Sequence, residues 1–480
     1  MRRFFVISLP LFLASCVVGR DYQTPEIPLP TKWSESVAEQ KTSDQWWKTF
    51  NDPVLNQLIN EAIAANLNLK QALSRVKEAR ILRSEAIATG LPSLAGRNAA
   101  SSRFNNSSTS GGSPVTGQVI NIFQLGFDAQ WELDFFGGIQ RAVEAADASI
   151  DIEVENSRDV LLTLLGDVVR EYIILCTNQQ LAQTHHELLA AQADTVKLTQ
   201  VRVQSGFANT LELAQAQAQY DSTAANLPRY ETEIKQAIHA LSVLLGREPN
   251  ALAQRFTGVK PIPSATASLD KLPSELLQRR PDIRKAERQM AQANATVGIA
   301  TAEMYPKVDL AAFIGLQNLK MTDFTALGKS WSSASTITMP LFNWGKIQAN
   351  IKAKDAQYEQ AFLAYQSTVL TAFQEVENAL VAYHNESQRY DTLTQAVVAN
   401  QTVLELSKER YRKGLTGFMD VLQAQQALYQ MTIQQVDSLG TIAQQNVALH
   451  KAMGGGWQNE SSVATPEKQN VIESVLMPKL

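Results

Sequence analysis

Arg202-Val203-Gln204-Ser205-Gly206-Phe207 and Arg410-Tyr411-Arg412-Lys413-Gly414-Leu415 are two versions of one pattern, 208 positions apart. At the same offset Gln215-Ala216-Gln217 falls on Gln423-Ala424-Gln425, Leu241 on Leu449 and Gly246 on Gly454. Upstream landmarks recur at nearly this spacing: Phe135 and Gly138 answer to Phe342 and Gly345, and Pro92 to Pro306. The chain is therefore a duplication of one unit of about 150–160 residues.

Between Gly345 and Gly414 there is neither Gly nor Pro. Its apolar residues include Ile347, Ile351, Tyr358, Phe362, Tyr365, Val369, Phe373, Val376, Leu380, Tyr383, Tyr390, Leu393, Val397 and Leu404. Steps of three, four and seven predict one helix with a continuous seam. At 1.5 Å per residue it is roughly 100 Å long. The matching stretch from Gly138 to Gly206 has no Pro and a single Gly, Gly166. A Gly-containing turn follows each long helix, and then a shorter helix to about Leu245 or Met453. Each unit thus carries a long helical hairpin.

What precedes each hairpin has period two. Phe123, Leu125, Phe127, Ala129 and Trp131 alternate with Gln124, Gly126, Asp128 and Gln130. Val308, Leu310, Ala312, Ile314 and Leu316 alternate in the second unit. Lengths near those of tilted membrane strands fit one strand of each of two pairs; the partners near 93–104 and 330–340 are weaker and do not follow from pattern alone. A polar loop, Asn105 to Pro114, separates the first pair, and another lies around Lys320 to Gly328. Four strands cannot close a barrel, and open edges are not tolerated in hydrocarbon. Several copies must contribute; three would supply twelve strands. A soluble sheet is the competing reading of the alternation alone.

Composition narrows the function. With 45% hydrophobic and 19% charged residues the 480-residue chain is neither disordered nor a bundle of membrane helices. A net charge of −4 argues against a nucleic-acid partner, which requires a basic stripe. The five histidines lack metal-ligand spacing, and there is no phosphate loop or nucleophile elbow, so no enzyme is expected. Cys176 lies in an apolar run and reads as a small buried hydrophobe. The chain opens Met1-Arg2-Arg3, then an apolar stretch from Phe4 to Leu13, then Leu13-Ala14-Ser15-Cys16, the layout of a secretory signal. The stretch is too short to span a bilayer and contains Pro10.

Leu13-Ala14-Ser15-Cys16 resembles the bacterial lipobox, which implies a covalent lipid on Cys16 and no other cofactor. Val17 is not the Asp that retains such proteins at the inner membrane. The segment Leu276-Leu277-Gln278-Arg279-Arg280-Pro281-Asp282-Ile283-Arg284-Lys285-Ala286-Glu287, continuing to Tyr305-Pro306-Lys307-Val308, resembles the hallmark of the outer membrane factor family, the TolC-like efflux channels. So do Trp46-Trp47-Lys48-Thr49-Phe50-Asn51-Asp52-Pro53-Val54-Leu55 and Gly19-Arg20-Asp21-Tyr22-Gln23-Thr24-Pro25. The resemblance reaches Gly456 and is nearest the OprM- and NodT-like lipoprotein branch. It implies an α+β membrane protein: four strands per chain forming a trimeric 12-stranded β-barrel, continued by a periplasmic α-helical barrel of duplicated hairpins. The implied partners are two further copies, a periplasmic adaptor protein, an inner-membrane transporter of the RND type and outer-membrane lipid.

The expected segments are a signal peptide at 1–15, a lipidated and partly equatorial segment at 16–90, and a strand pair at 91–136. The first hairpin follows at 137–246, a linker with equatorial part and return helix at 247–305, and the second strand pair at 306–341. The second hairpin takes 342–455 and a tail 456–480. The resemblance puts the functional residues at the hairpin tips. Asp420-Val421-Leu422-Gln423-Ala424 stands where the family reads Asp-Val-Leu-Asp-Ala, so Asp420 matches the first aspartate of an acidic aperture ring and Gln423 replaces the second. Tyr411 falls where an aromatic ties neighbouring helices. Thr416 stands where one branch has a pairing Arg. Glu212 is the first-unit counterpart of Asp420, with a solvated helix face as its other reading. Gly206, Phe207, Gly414 and Leu415 are the expected adaptor-contact surface. Pro281 with Asp282 suits a helix N-terminus, and Arg279 and Arg280 suit ion pairs. A scaffold coiled coil, a periplasmic adaptor lipoprotein and a protein-secretion duct are the alternatives to an efflux duct.

Overall fold

The computed structural model describes residues 17–28, 30, 32–34, 45–105, 118–265, 275–323 and 328–458. Cys16, the loop 106–117 and the tail 459–480 lie outside them. A 3₁₀ turn, Trp46–Phe50, leads into α1 (Pro53–Ala65) and α2 (Leu67–Thr89). Strands β1 (Ser93–Asn105) and β2 (Gln118–Leu133) precede α3 (Gly138–Gln204), α4 (Thr210–Ala224) and α5 (Leu227–Leu244). After the short α6 (Leu276–Arg279) come α7 (Pro281–Ala302), β3 (Lys307–Asn318), β4 (Lys329–Thr338), α8 (Lys346–Arg412) and α9 (Phe418–Ala452). Among the described residues no helix is long and apolar enough to cross a membrane.

Both long helices contain 67 residues. Three pairs of glycines with positive φ mark the ends of the units: Gly137 and Gly345 (76° and 78°), Gly206 and Gly414 (78° and 70°), Gly246 and Gly454 (66° and 67°). Each pair is 208 residues apart. The sequence comparison had set Gly138 against Gly345. The structure sets Gly137 there, because only the first glycine of the Gly137-Gly138 doublet takes the left-handed conformation that glycine tolerates without a Cβ clash. The tips end alike: Phe207 N donates to Arg202 O at 2.8 Å and Leu415 N to Arg410 O at 2.9 Å. This is the Schellman closure, which satisfies carbonyls left over at the helix end.

The units differ in their return helices. The expected single helix to Leu245 is two, α4 and α5, broken at Ala225-Asn226. Pro228 causes the break: it offers no N–H and its ring clashes with the carbonyl four residues back, that of Ala224. Val436 occupies the equivalent position, and α9 runs unbroken for 35 residues.

The four strands form one antiparallel sheet in the order β1-β2-β3-β4. Leu125 opposes Leu316, Phe127 opposes Ile314, Ala129 opposes Ala312 and Trp131 opposes Leu310. Ile314 in turn opposes Trp331, so one face is apolar across three strands. The other face is polar, with Arg97 and Asp128 paired at 2.9 Å and Gln124 bonded to Gln317. Leu94, Phe127, Ile314 and Trp331 are all exposed in the single chain. Register is pinned where Gly126 opposes Gly315; a Cβ on either would come within 2.4 Å of a backbone carbonyl across the pair.

The helical body has two large cores. One packs Leu55, Leu58 and Ile59 against Leu165, Val168, Tyr172 and Leu241, and contains Trp46 and Cys176. The other packs Ile283, Tyr365, Val369, Val376 and Leu449 between α7, α8 and α9. Burial pushes the Cys176 thiol up to about 12, as expected of an inert core cysteine.

Candidate functional site at the hairpin tips

Each tip presents an apolar residue directly after its left-handed glycine. Phe207 is 76% exposed and Leu415 is 64% exposed. Leu211 and Met419, each the second residue of its return helix, are exposed as well. The return helices start differently. Asn209 caps α4 by accepting from Glu212 N at 2.9 Å. Gly417 precedes α9 without a side-chain cap, leaving Asp420 in the first turn to complement the helix N-terminus.

The two tips meet within one chain. The Tyr411 hydroxyl donates to Glu212 Oε2 at 3.3 Å. The Arg202 guanidinium lies 4.7 Å from the centre of the Tyr411 ring, and the Phe418 ring packs 5.5 Å away. Phe418, Leu422 and Ala216 form a small core beneath, with Tyr411 and Val196 against it. Burial and the neighbouring Glu212 carboxylate push the Tyr411 phenol up, so it is a hydrogen-bond donor throughout the physiological range. Tyr411 and Glu212 are thus brought together. Asp420 and Gln423, three apart on α9, share an exposed face, and no hydrogen bond or ion pair links them to Tyr411 or Glu212. Thr416, in the turn before α9, is half-buried and its hydroxyl oxygen is without a hydrogen-bond partner.

The Arg279-Arg280-Pro281-Asp282 segment lies far from the tips. Pro281 opens α7, and the Arg280 side chain forks onto Asp282 at 3.0 and 2.7 Å. Arg280 also reaches Glu375 on α8 at 2.7 Å and the Ala452 carbonyl on α9 at 3.0 Å. The Arg279 carbonyl accepts from the Trp457 indole at 2.9 Å. The segment therefore ties α7, α8 and the end of α9. Trp46 and Trp47 are core residues; the Trp46 indole donates to Gly455 O at 3.1 Å.

Sequence reasoning missed Arg202 and Phe418, whose role depends on which hairpin faces which. It also missed a buried cluster partway up α3. His185 there is bonded to the Tyr429 hydroxyl of α9 and packs against the Tyr230 ring of α5 at 4.5 Å. The signal was available: His185 falls on the buried side of α3 with Ala182, yet a single histidine in a helix does not announce its partners.

The profile of the Outer membrane efflux protein family matches residues 58–247 and 272–455, one match for each unit. Nodulation protein T of Rhizobium leguminosarum bv. viciae is 30% identical over 97% of this chain and 95% of its own. The solvent efflux pump outer membrane protein SrpC of Pseudomonas putida is 30% identical, covering 94% of this chain and 98% of its own. Among solved structures, the outer-membrane channel OprN superposes with a TM-score of 0.86 at 29% identity, covering 92% of this chain and 100% of that one. The fold and the doubled profile define an outer-membrane channel with an α+β architecture, its four strands per chain completed by other copies. This chain belongs to the Outer membrane efflux protein family.

Proposed function

We propose that the protein is the exit duct of a tripartite efflux pump, passing small molecules out of the cell without chemistry of its own. The observation that carries this is continuity. A sheet with one apolar and one polar face runs directly, through Gly137 and Gly345, into two 67-residue helices. Three copies bring twelve strands and close the two open edges of each sheet. The apolar face then meets lipid and the polar face, with Gln124, Asp128 and Gln317, lines the lumen. Relatives named as efflux-pump outer membrane proteins support the same reading.

In this arrangement the helices form a tunnel into the periplasm and the tips are its inner aperture. The exposed Phe207 and Leu415, with Gly206 and Gly414 shaping their turns, suit the helical ends of a periplasmic adaptor that links the duct to an RND-type transporter. Three Asp420 side chains, one per copy, form an acidic constriction that favours cations. The Tyr411–Glu212 bond holds the two hairpins of one copy together while the aperture is closed, and Thr416, standing where one branch has an Arg, adds no ion pair to it. Cys16 carries the lipid that secures the chain to the outer membrane.

The test is conductance of the purified protein in planar bilayers, wild type against Asp420→Ala. Small cation-selective channels that lose selectivity in the variant are expected. Unchanged selectivity would move the constriction away from Asp420. No channel at all from a folded oligomer would refute the duct.

A further inference from the structure

The opening motif Gly19-Arg20-Asp21-Tyr22 belongs to neither the sheet nor the tips, yet almost every group in it is held. Arg141, in the first turn of α3, has a side chain only 4% exposed. Its Nε donates to Val18 O at 3.2 Å, and Nη2 donates to Gly19 O at 3.3 Å and to the Asp21 carboxylate at 2.9 Å. Nη1 is taken by Glu144 at 2.6 Å. Three of the four acceptors of this buried cation thus belong to the N-terminal segment. Val18 N completes the contact by donating to Phe136 O at 3.1 Å.

Glycines shape the seat. Gly19, at φ +94°, lies against Gly298 of α7, and a Cβ on Gly19 would stand 2.9 Å from the Gly298 Cα. A Cβ on Gly298 would meet Arg141 Cγ and Cδ at 2.9 Å, and one on Gly137 would meet the Val17 Cα at 2.9 Å. Beyond the seat, Arg20 and Asn294 exchange two hydrogen bonds of 2.8 and 3.0 Å, and the Arg20 guanidinium sits 4.0 Å over the Tyr358 ring of α8. The Tyr22 hydroxyl donates to Glu287 at 2.6 Å. The segment is a strap from the first unit across α7 to the second.

We propose that Arg141 is the positioning residue that seats this strap, and that the seat fixes where the lipid-bearing end of the chain leaves the protein: beside Gly137, at the junction of β2 with α3. The membrane half of this inference rests on the lipidation of Cys16. Residue 16 is one peptide bond from Val17, about 3.8 Å between Cα atoms. Acyl chains on it therefore start at the end of the membrane sheet. Seated here, the lipid acts with the barrel as a second membrane contact at a fixed distance from the first.

Trypsin reads the seat directly, because Arg20-Asp21 is a cleavage site inside it. The full-length protein, purified from membranes in detergent, is digested under native conditions and the released Cys16–Arg20 peptide is followed by mass spectrometry. Wild type resists. Arg141→Met is cleaved roughly tenfold faster or more, as a locally opened segment is. Arg141→Lys, which keeps the charge without the planar fork, falls between. Gly298→Ala, which keeps every charge, is also faster and decides the matter if Arg141→Met does not fold. Unchanged protection at Arg20 in folded, native-mass Arg141→Met or Gly298→Ala protein overturns the seat. A released peptide without an acyl mass leaves Arg141 as the strap's seat and overturns its membrane role, separating that failure from failure of the clamp.

Discussion

Tyr411 and Glu212 join the two hairpin tips of one chain through a single hydrogen bond. Their hydrogen bond is half-buried, and such a bond contributes about 0.5–1.5 kcal/mol net. Tyr411→Phe and Glu212→Gln should each lower stability by an amount in that range and raise channel conductance. The double variant should be less than additive in a thermal-unfolding cycle; strict additivity would show that the two groups do not interact. His185 makes a second residue-scale prediction. Burial, with His186 beside it, lowers the His185 pKa in the folded state. Below an unfolded value of about 6.5 the unfolded chain takes up a proton that the folded chain resists. Stability is therefore full above that pH and is lost as pH falls through the folded value. His185→Phe should flatten the fall in melting temperature between neutral pH and the acid range; an unchanged profile would assign it to other groups. Asp420 was legible in the sequence as a position because it lies in a motif. The hydrogen-bond partners of Tyr411 and His185 were not, since Glu212 and Tyr429 lie 199 and 244 residues away from them in the chain.

Helices and strands were the most legible level. Period 3.6 over a stretch without Gly or Pro specified α8, and the period-two run specified β2, because each pattern is repeated many times within one element. The weaker β1 and β4 have few large apolar residues, as Ser332-Ser333-Ala334-Ser335 shows. They are strands because β2 and β3 supply their ladders. The break between α4 and α5 was missed although Pro228 was in view, since a shared tip pattern invited a shared return helix. Where elements touch, glycine decides the distance. Gly440 of α9 faces Thr177 of α3 so closely that an added Cβ would lie 2.4 Å from the Thr177 Oγ1. Gly440→Ala should gain helix propensity of about 1 kcal/mol but lose about 1–3 kcal/mol to overpacking. A net lower melting temperature is expected, relieved when Thr177→Ala is added; a stabilised single variant would show that the two helices part freely.

As a whole molecule the chain is incomplete. Among the described residues β1 and β4 each leave an edge unpaired beside an apolar face. Native mass spectrometry in detergent should find three copies, and a stable folded monomer would contradict barrel closure. The need for several copies was legible from the count of strands, whereas the strap over α3, α7 and α8 was not, because no periodicity marks an extended segment. The Pro228 break has a mechanical consequence once three copies stand in a ring. Every second leg of that ring is a rod of two unbroken helices, α8 with α9, and every other leg has a joint at Ala225-Asn226. A load applied at the tips is shared unequally between them: the jointed legs yield at one defined height, while the rods transmit the force to their roots at Gly345.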